Sequence, residues 1–133
     1  MFKKISIVAF AAILFSSCEV NESLSSTCPT IIAVATTTIT GPVQTAIDVP
    51  INLEISYKTK KNCGGFKLFF DNPSDDPLVD IITVNTTYDA CNCDEVQSVE
   101  KVNYSFKKSE AGVYVVKFRE TNTTFIEHTV TVQ

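Results

Sequence analysis

The chain has no tryptophan, one methionine, one histidine and four glycines in 133 residues. So few glycines exclude Gly-rich phosphate-cradling loops and low-complexity repeats. The lone histidine, His128, has no second imidazole to share a metal or a proton with. No serine or cysteine with an obvious base accompanies it, so a nucleophile, a base and an orienting group do not assemble from the sequence. Basic residues are also scarce: eleven Lys and Arg stand against fifteen Asp and Glu, and Lys3 and Lys4 lie in the N-terminal leader. The nine basic residues beyond the leader leave a net charge of −6, which repels nucleic acid and anionic headgroups. Beyond residue 17 no apolar run is long enough to span a bilayer, and no 3.6-residue period is present.

What is abundant is β-forming residues: nine Phe, four Tyr and many Val, Ile and Thr. Seven strands are predicted. The first is Ile31–Thr40, ended by Gly41-Pro42, and the second is Val49–Tyr57. In the second, Val49, Ile51, Leu53, Ile55 and Tyr57 alternate with Asn52, Glu54 and Ser56. Phe66–Phe70 is the third, with Phe66, Leu68 and Phe70 on one face and Phe69 on the other. On that reading Phe69 is a surface residue, or part of a binding patch if it meets Tyr88 or Phe125. DNPSDDP (71–77) is a loop, followed by Leu78–Tyr88, Val99–Phe106, Val113–Arg119 and Thr123–Val132. Short strands at this spacing predict an all-β, antiparallel, seven-stranded sandwich over residues 31–133.

The first eighteen residues, MFKKISIVAFAAILFSSC, have a lysine pair, an apolar run from Ile5 to Phe15, two small residues and Cys18. This stretch resembles a bacterial lipoprotein signal peptide, and the relaxed Ser-Ser-Cys ending is similar to those of the Bacteroidota. The resemblance implies removal of residues 1–17 and lipidation of Cys18. The protein would then be exported and membrane-anchored, in the cell envelope and at the outer membrane of a Gram-negative bacterium. The other reading is an ordinary signal peptide cut near Ser17. Residues 18–30 carry the anchor and a polar, Ser-rich tether.

At Glu110-Ala111-Gly112-Val113-Tyr114 the chain resembles the tyrosine corner of immunoglobulin-like domains. The resemblance implies that Glu110, Gly112 and Tyr114 open the penultimate strand and that the Tyr114 hydroxyl bonds back to nearby backbone. Val116 stands where antibody domains carry a core cysteine, so the likeness is to bacterial immunoglobulin-like modules.

Four cysteines follow Cys18: Cys28, Cys63, Cys91 and Cys93. In an exported protein they read as two disulfides. A Cys91–Cys93 ring is strained, so Cys28 and Cys63 each take one of that pair, in either connectivity. Immunoglobulin-like topology would gather all four at one pole. With Cys28 only ten positions beyond Cys18 (at most about 35 Å of chain), that pole lies nearest the membrane. The alternative is a thiolate site in which Cys91-x-Cys93 binds a soft metal such as copper(I). The opposite pole would collect Asp48, Asp71, Asp75, Asp76 and Glu110, of which Asp71, Asp75 and Asp76 are weak calcium candidates; a solvated acidic turn is the simpler account.

The resulting expectation is a non-enzymatic envelope lipoprotein without a cofactor. It displays an immunoglobulin-like module to a protein or glycan partner, and it contacts the membrane through the lipid on Cys18. Metal binding or delivery through Cys91-x-Cys93 is the alternative. A small carboxylate hydrolase is the third reading, and it requires a cleft lined by converging carboxyls.

Overall fold

The computed structural model describes residues 30–61, 63–88, 93 and 96–133. The leader, Cys18, Cys28 and Cys91 lie outside the described residues.

Among the described residues nine strands form: β1 (Thr30–Val34), β2 (Thr36–Thr40), β3 (Gln44–Thr45), β4 (Ile51–Lys60), β5 (Gly64–Asn72), β6 (Val79–Tyr88), β7 (Gln97–Phe106), β8 (Gly112–Arg119) and β9 (Phe125–Val132). They make two sheets, one in the order β2-β4-β7, the other β1-β6-β8-β9-β3 with β5 on the remaining edge of β6. The protein is all-β among the described residues.

The prediction of seven strands is corrected to nine. The first predicted strand breaks at Ala35, where the chain leaves one sheet for the other; the Ala35 carbonyl is held by the Lys58 N–H at 2.9 Å. β3 is a two-residue strand parallel to β9. It leads into a turn that brings Asp48 to φ 62°, a left-handed position that a short polar side chain tolerates. Val49 sits in that turn, 49% exposed, and not on the buried face of β4.

The larger sheet is mixed, not antiparallel. β5 occupies one edge of β6 in antiparallel register. The other edge is shared: β8 runs parallel along Val79–Ile82, and β1 antiparallel along Val84–Tyr88. Between β6 and β8 the chain crosses to the other sheet as β7 and returns, so β8 enters in the same direction as β6.

The core lies between the sheets. Leu53, Ile55 and Tyr57 of β4 and Phe106 of β7 face Ile82, Val84, Tyr114, Val116, Phe118, Val130 and Val132. Each set alternates along its strand, as a half-buried strand must. β5 departs from that alternation. A bulge between Phe66 and Leu68 leaves Lys67 without a partner on β6. Antiparallel partners share a face, so Phe69 lies with buried Val84 and points inward, whereas Leu68 and Phe70 lie outward with Asn85 and Thr83. This reverses the sequence expectation for Phe69. Its ring meets Tyr104 at 5.1 Å and Phe118 at 6.0 Å, joining the two sheets.

The Tyr114 side chain is buried, and its hydroxyl donates to the Glu110 carbonyl at 3.1 Å. A Cβ at Gly112 would come within 3.3 Å of both the Tyr114 ring and Leu78, so the small residue permits this closure. Tyr114→Phe is expected to cost about 1 kcal/mol, since a part-buried hydrogen bond is lost while the packing is kept. Urea denaturation with an unchanged slope would measure it.

Candidate functional site

A polar cleft opens where β5 ends, β6 begins and β7 ends. It is a cleft of about 430 Å³ lined by Asp71, Asn72, Ser74, Asp76, Asp80, Tyr104, Ser105, Phe106, Lys107 and Lys108, among others. Two strands give it inward carboxylates by register alone. Asp71 is paired with buried Ile82, so it faces the interior side of the sheet. Asp80 shares the parity of Ile82 and Val84. Both side chains thus point between the sheets at the end where the apolar core runs out.

Tyr104 rises from the opposite sheet. Its backbone partner is fully buried Leu53, and its ring packs edge-on against Phe69 and Phe118. Its hydroxyl has no hydrogen-bond partner among the described residues. Burial pushes the Tyr104 phenol well above its ordinary value of 10.0, and the carboxylates of Asp80 and then Asp71 push it further. At neutral pH the hydroxyl is therefore a donor, in the field of two carboxylates. The folded protein keeps this proton at a pH where the unfolded chain releases it, so the contribution to stability is whole below pH 10.0 and declines above it. Tyr57 shares the direction through burial and Glu100, against a hydrogen bond from the Phe66 backbone. Phenolate absorbance followed through an alkaline titration should show Tyr57 and Tyr104 ionising above pH 10.0, with unfolding accompanying the ionisation of Tyr104.

The remaining cleft charges are largely tied. Lys108 Nζ meets Asp80 Oδ1 at 2.7 Å, both side chains about three-quarters buried. The same ammonium lies 5.1 Å from the Tyr114 ring centre and 5.7 Å from that of Phe106. Lys107 leans away to Asp48 at 3.5 Å. Asp76 Oδ1 accepts the Leu78 N–H at 2.9 Å, closing the loop as an Asx turn. Asn72 donates to the Phe70 and Ile81 carbonyls and to Thr83 Oγ1, which fixes the end of β5. Asp71 and the Tyr104 hydroxyl are left facing the opening.

Of the predicted acidic pole, Asp71 and Asp76 line the cleft, while Asp48, Asp75 and Glu110 do not. No group of three or more His, Cys, Asp or Glu among the described residues is gathered as a metal would require. Asp80 and Tyr104 are the members that sequence reasoning missed. Asp80 carried a signal, an acid at an apolar parity position; Tyr104 carried none, because it alternates like any core aromatic.

Cys63 is bonded to Cys93, with Cα atoms 5.4 Å apart. The bridge sits at the start of β5 and just before β7, beside the Gly64–Tyr88 pair and the beginning of β1. β5 spans roughly 27 Å at about 3.4 Å per residue, so the cleft and the bridge occupy opposite poles. Cys93, so bonded, has no thiolate to share with Cys91. His128 is on β9 with Nε2 3.0 Å from the Pro42 carbonyl and is not part of the cleft.

No protein-family model, no curated protein and no solved structure matches this chain.

Proposed function

We propose that the chain is a lipid-anchored, non-enzymatic protein of the bacterial envelope, and that its sandwich is an immunoglobulin-like module holding a protein or glycan partner at the cleft pole. The observation that carries the reading is the polarity of the molecule. The polar cleft with the Tyr104 hydroxyl lies at one end, and the Cys63–Cys93 bridge and the entry of β1 lie at the other. A chain lipidated at Cys18 would then present the cleft away from the membrane.

Support for an immunoglobulin-like relationship comes from β2-β4-β7 as one sheet, from β3 running parallel beside β9, and from the Tyr114–Glu110 bond. The pattern departs at β6, which stands beside β8 where such domains place the strand equivalent to β5. The chemistry of the cleft suits a ligand rich in hydroxyl and amide groups. Tyr104 donates, Asp71 accepts, and the charge of Lys108 is offset by Asp80.

A carboxylate hydrolase is the second reading, because Asp71, Asp76 and Asp80 do line one cleft. Against it, Asp80 is engaged by Lys108 and Asp76 by the Leu78 N–H.

Nuclear magnetic resonance titration with a panel of envelope glycans and peptides tests both. The expected result is shift changes confined to the cleft for one ligand class, weakened at least tenfold by Asp71→Ala, with the ligand unchanged after incubation. Ligand cleavage lost in Asp71→Asn would instead establish the hydrolase. Shifts mapped away from the cleft would overturn both. Acyl mass on the exported chain, absent in Cys18→Ala, tests the anchor separately.

A further inference from the structure

β5 is an edge strand of unusual composition. β6 takes one side, and no strand among the described residues pairs with the other. Its outer face is apolar and open: Leu68 is 38% exposed and Phe70 53%. An exposed, apolar strand edge of nine residues is a template for another strand.

The charges of β5 choose the occupant. The strand reads Gly64-Gly65-Phe66-Lys67-Leu68-Phe69-Phe70-Asp71-Asn72, with one base and one acid, four positions apart. A twofold axis normal to the sheet keeps outer faces on the same side and sets one residue opposite itself. If that residue is Phe69, Lys67 of each copy lies opposite Asp71 of the other, and Leu68 opposite Phe70. Moving the centre by one residue destroys both matches, setting Lys67 against Phe69 or Pro73. We propose that the free edge of β5 pairs with β5 of a second copy of this chain, antiparallel about Phe69, to give a twofold dimer with a continuous sheet. The dimer contains two Lys67–Asp71 pairs and two Leu68–Phe70 cross-strand contacts, which are the units that stabilise an antiparallel pair.

A lysine and a bulge on an edge strand are also a known means of preventing association. Asp71 makes the difference: Lys67 blocks a generic strand and matches this one. The dimer leaves Tyr104 on its own sheet and draws Asp71 partly from the cleft, so assembly and cleft occupancy would be linked.

The test is zero-length carbodiimide cross-linking of the full-length chain, which joins an amine to a carboxylate only in direct contact. Within one strand Lys67 and Asp71 are about 13 Å apart, beyond that reach. The expected result is a band at twice the monomer mass whose digest contains a Lys67–Asp71 peptide. Lys67→Asp or Asp71→Lys alone should abolish the band, and the double exchange Lys67→Asp/Asp71→Lys should restore it. Leu68→Glu, at an exposed position, should lose the band with the melting temperature kept. A monomer at all concentrations, a dimer whose cross-links lie elsewhere, or failure of the double exchange in a folded protein would overturn the proposal.

Discussion

Phe118→Ala should lower stability by about 3–5 kcal/mol, the largest effect expected of a single side chain here. Phe118 is fully buried on β8, with Tyr114 and Val116 on the same face. Its backbone neighbours are Ile82 on β6 and Ile126 on β9. Its ring meets Tyr104 of the opposite sheet at 5.3 Å and Phe69 at 6.0 Å. Truncation removes the centre of this three-ring contact between layers, and the β ladders on both sides keep the backbone from closing the void. Domains of this size are stable by only about 5–15 kcal/mol, so the loss is a large share of the total. The expected fall in melting temperature is on the order of 15 °C or more. Urea denaturation of Phe118→Ala beside Val113→Ala decides it. Val113 is on the same strand but 54% exposed, and its truncation should change stability by less than about 0.5 kcal/mol. Equal losses in the two variants would mean that β8 does not pack as described.

Cys63→Ser is the second large effect. The bridge to Cys93 closes a segment of 30 residues that contains β5 and β6. Restricting the unfolded chain by a loop of that length contributes roughly 3.5 kcal/mol in the chain-entropy description. The loss should appear as a lower urea midpoint for Cys63→Ser, and reduction of the native protein should reproduce it. A second disulfide between Cys28 and Cys91 would soften the difference. Intact-mass measurement of the non-reduced protein distinguishes the cases, four protons lost for two bridges and two for one. If Cys63→Ser melts as the native chain does, the bridge is not holding β5 against β7.

The strand positions were largely legible because alternation is local. Leu53, Ile55 and Tyr57, or Tyr114, Val116 and Phe118, occupy every second position, and all six are buried. Failure came where the period of two is interrupted. Nothing in GGFKLFFDN announces a bulge at Lys67, yet that one residue turns Phe69 inward and leaves Leu68 and Phe70 outside. The break at Ala35 was missed for a related reason: Ile31–Thr40 is uniformly β-forming, so composition does not mark where the chain changes sheets. The cleft was half legible. Asp71 and Asp76 stand in a conspicuous loop signal, but Asp80 lies inside a strand and Tyr104 comes from the other sheet.

The sequence by itself determined that this is an all-β protein, where most of its strands lie, and that Cys63 bonds to one of two nearby cysteines. Those properties depend on residue type and short-range spacing. Tertiary structure alone decided that β6 stands between β5 and β8, that the β6–β8 and β3–β9 pairings are parallel, that Cys63 takes Cys93, and that Asp71, Asp80 and Tyr104 share one opening. Ladder hydrogen bonds join backbone to backbone and carry no record of side-chain identity. Which strands become neighbours is therefore settled by how the apolar faces pack, and only that packing brings distant polar residues to the same end.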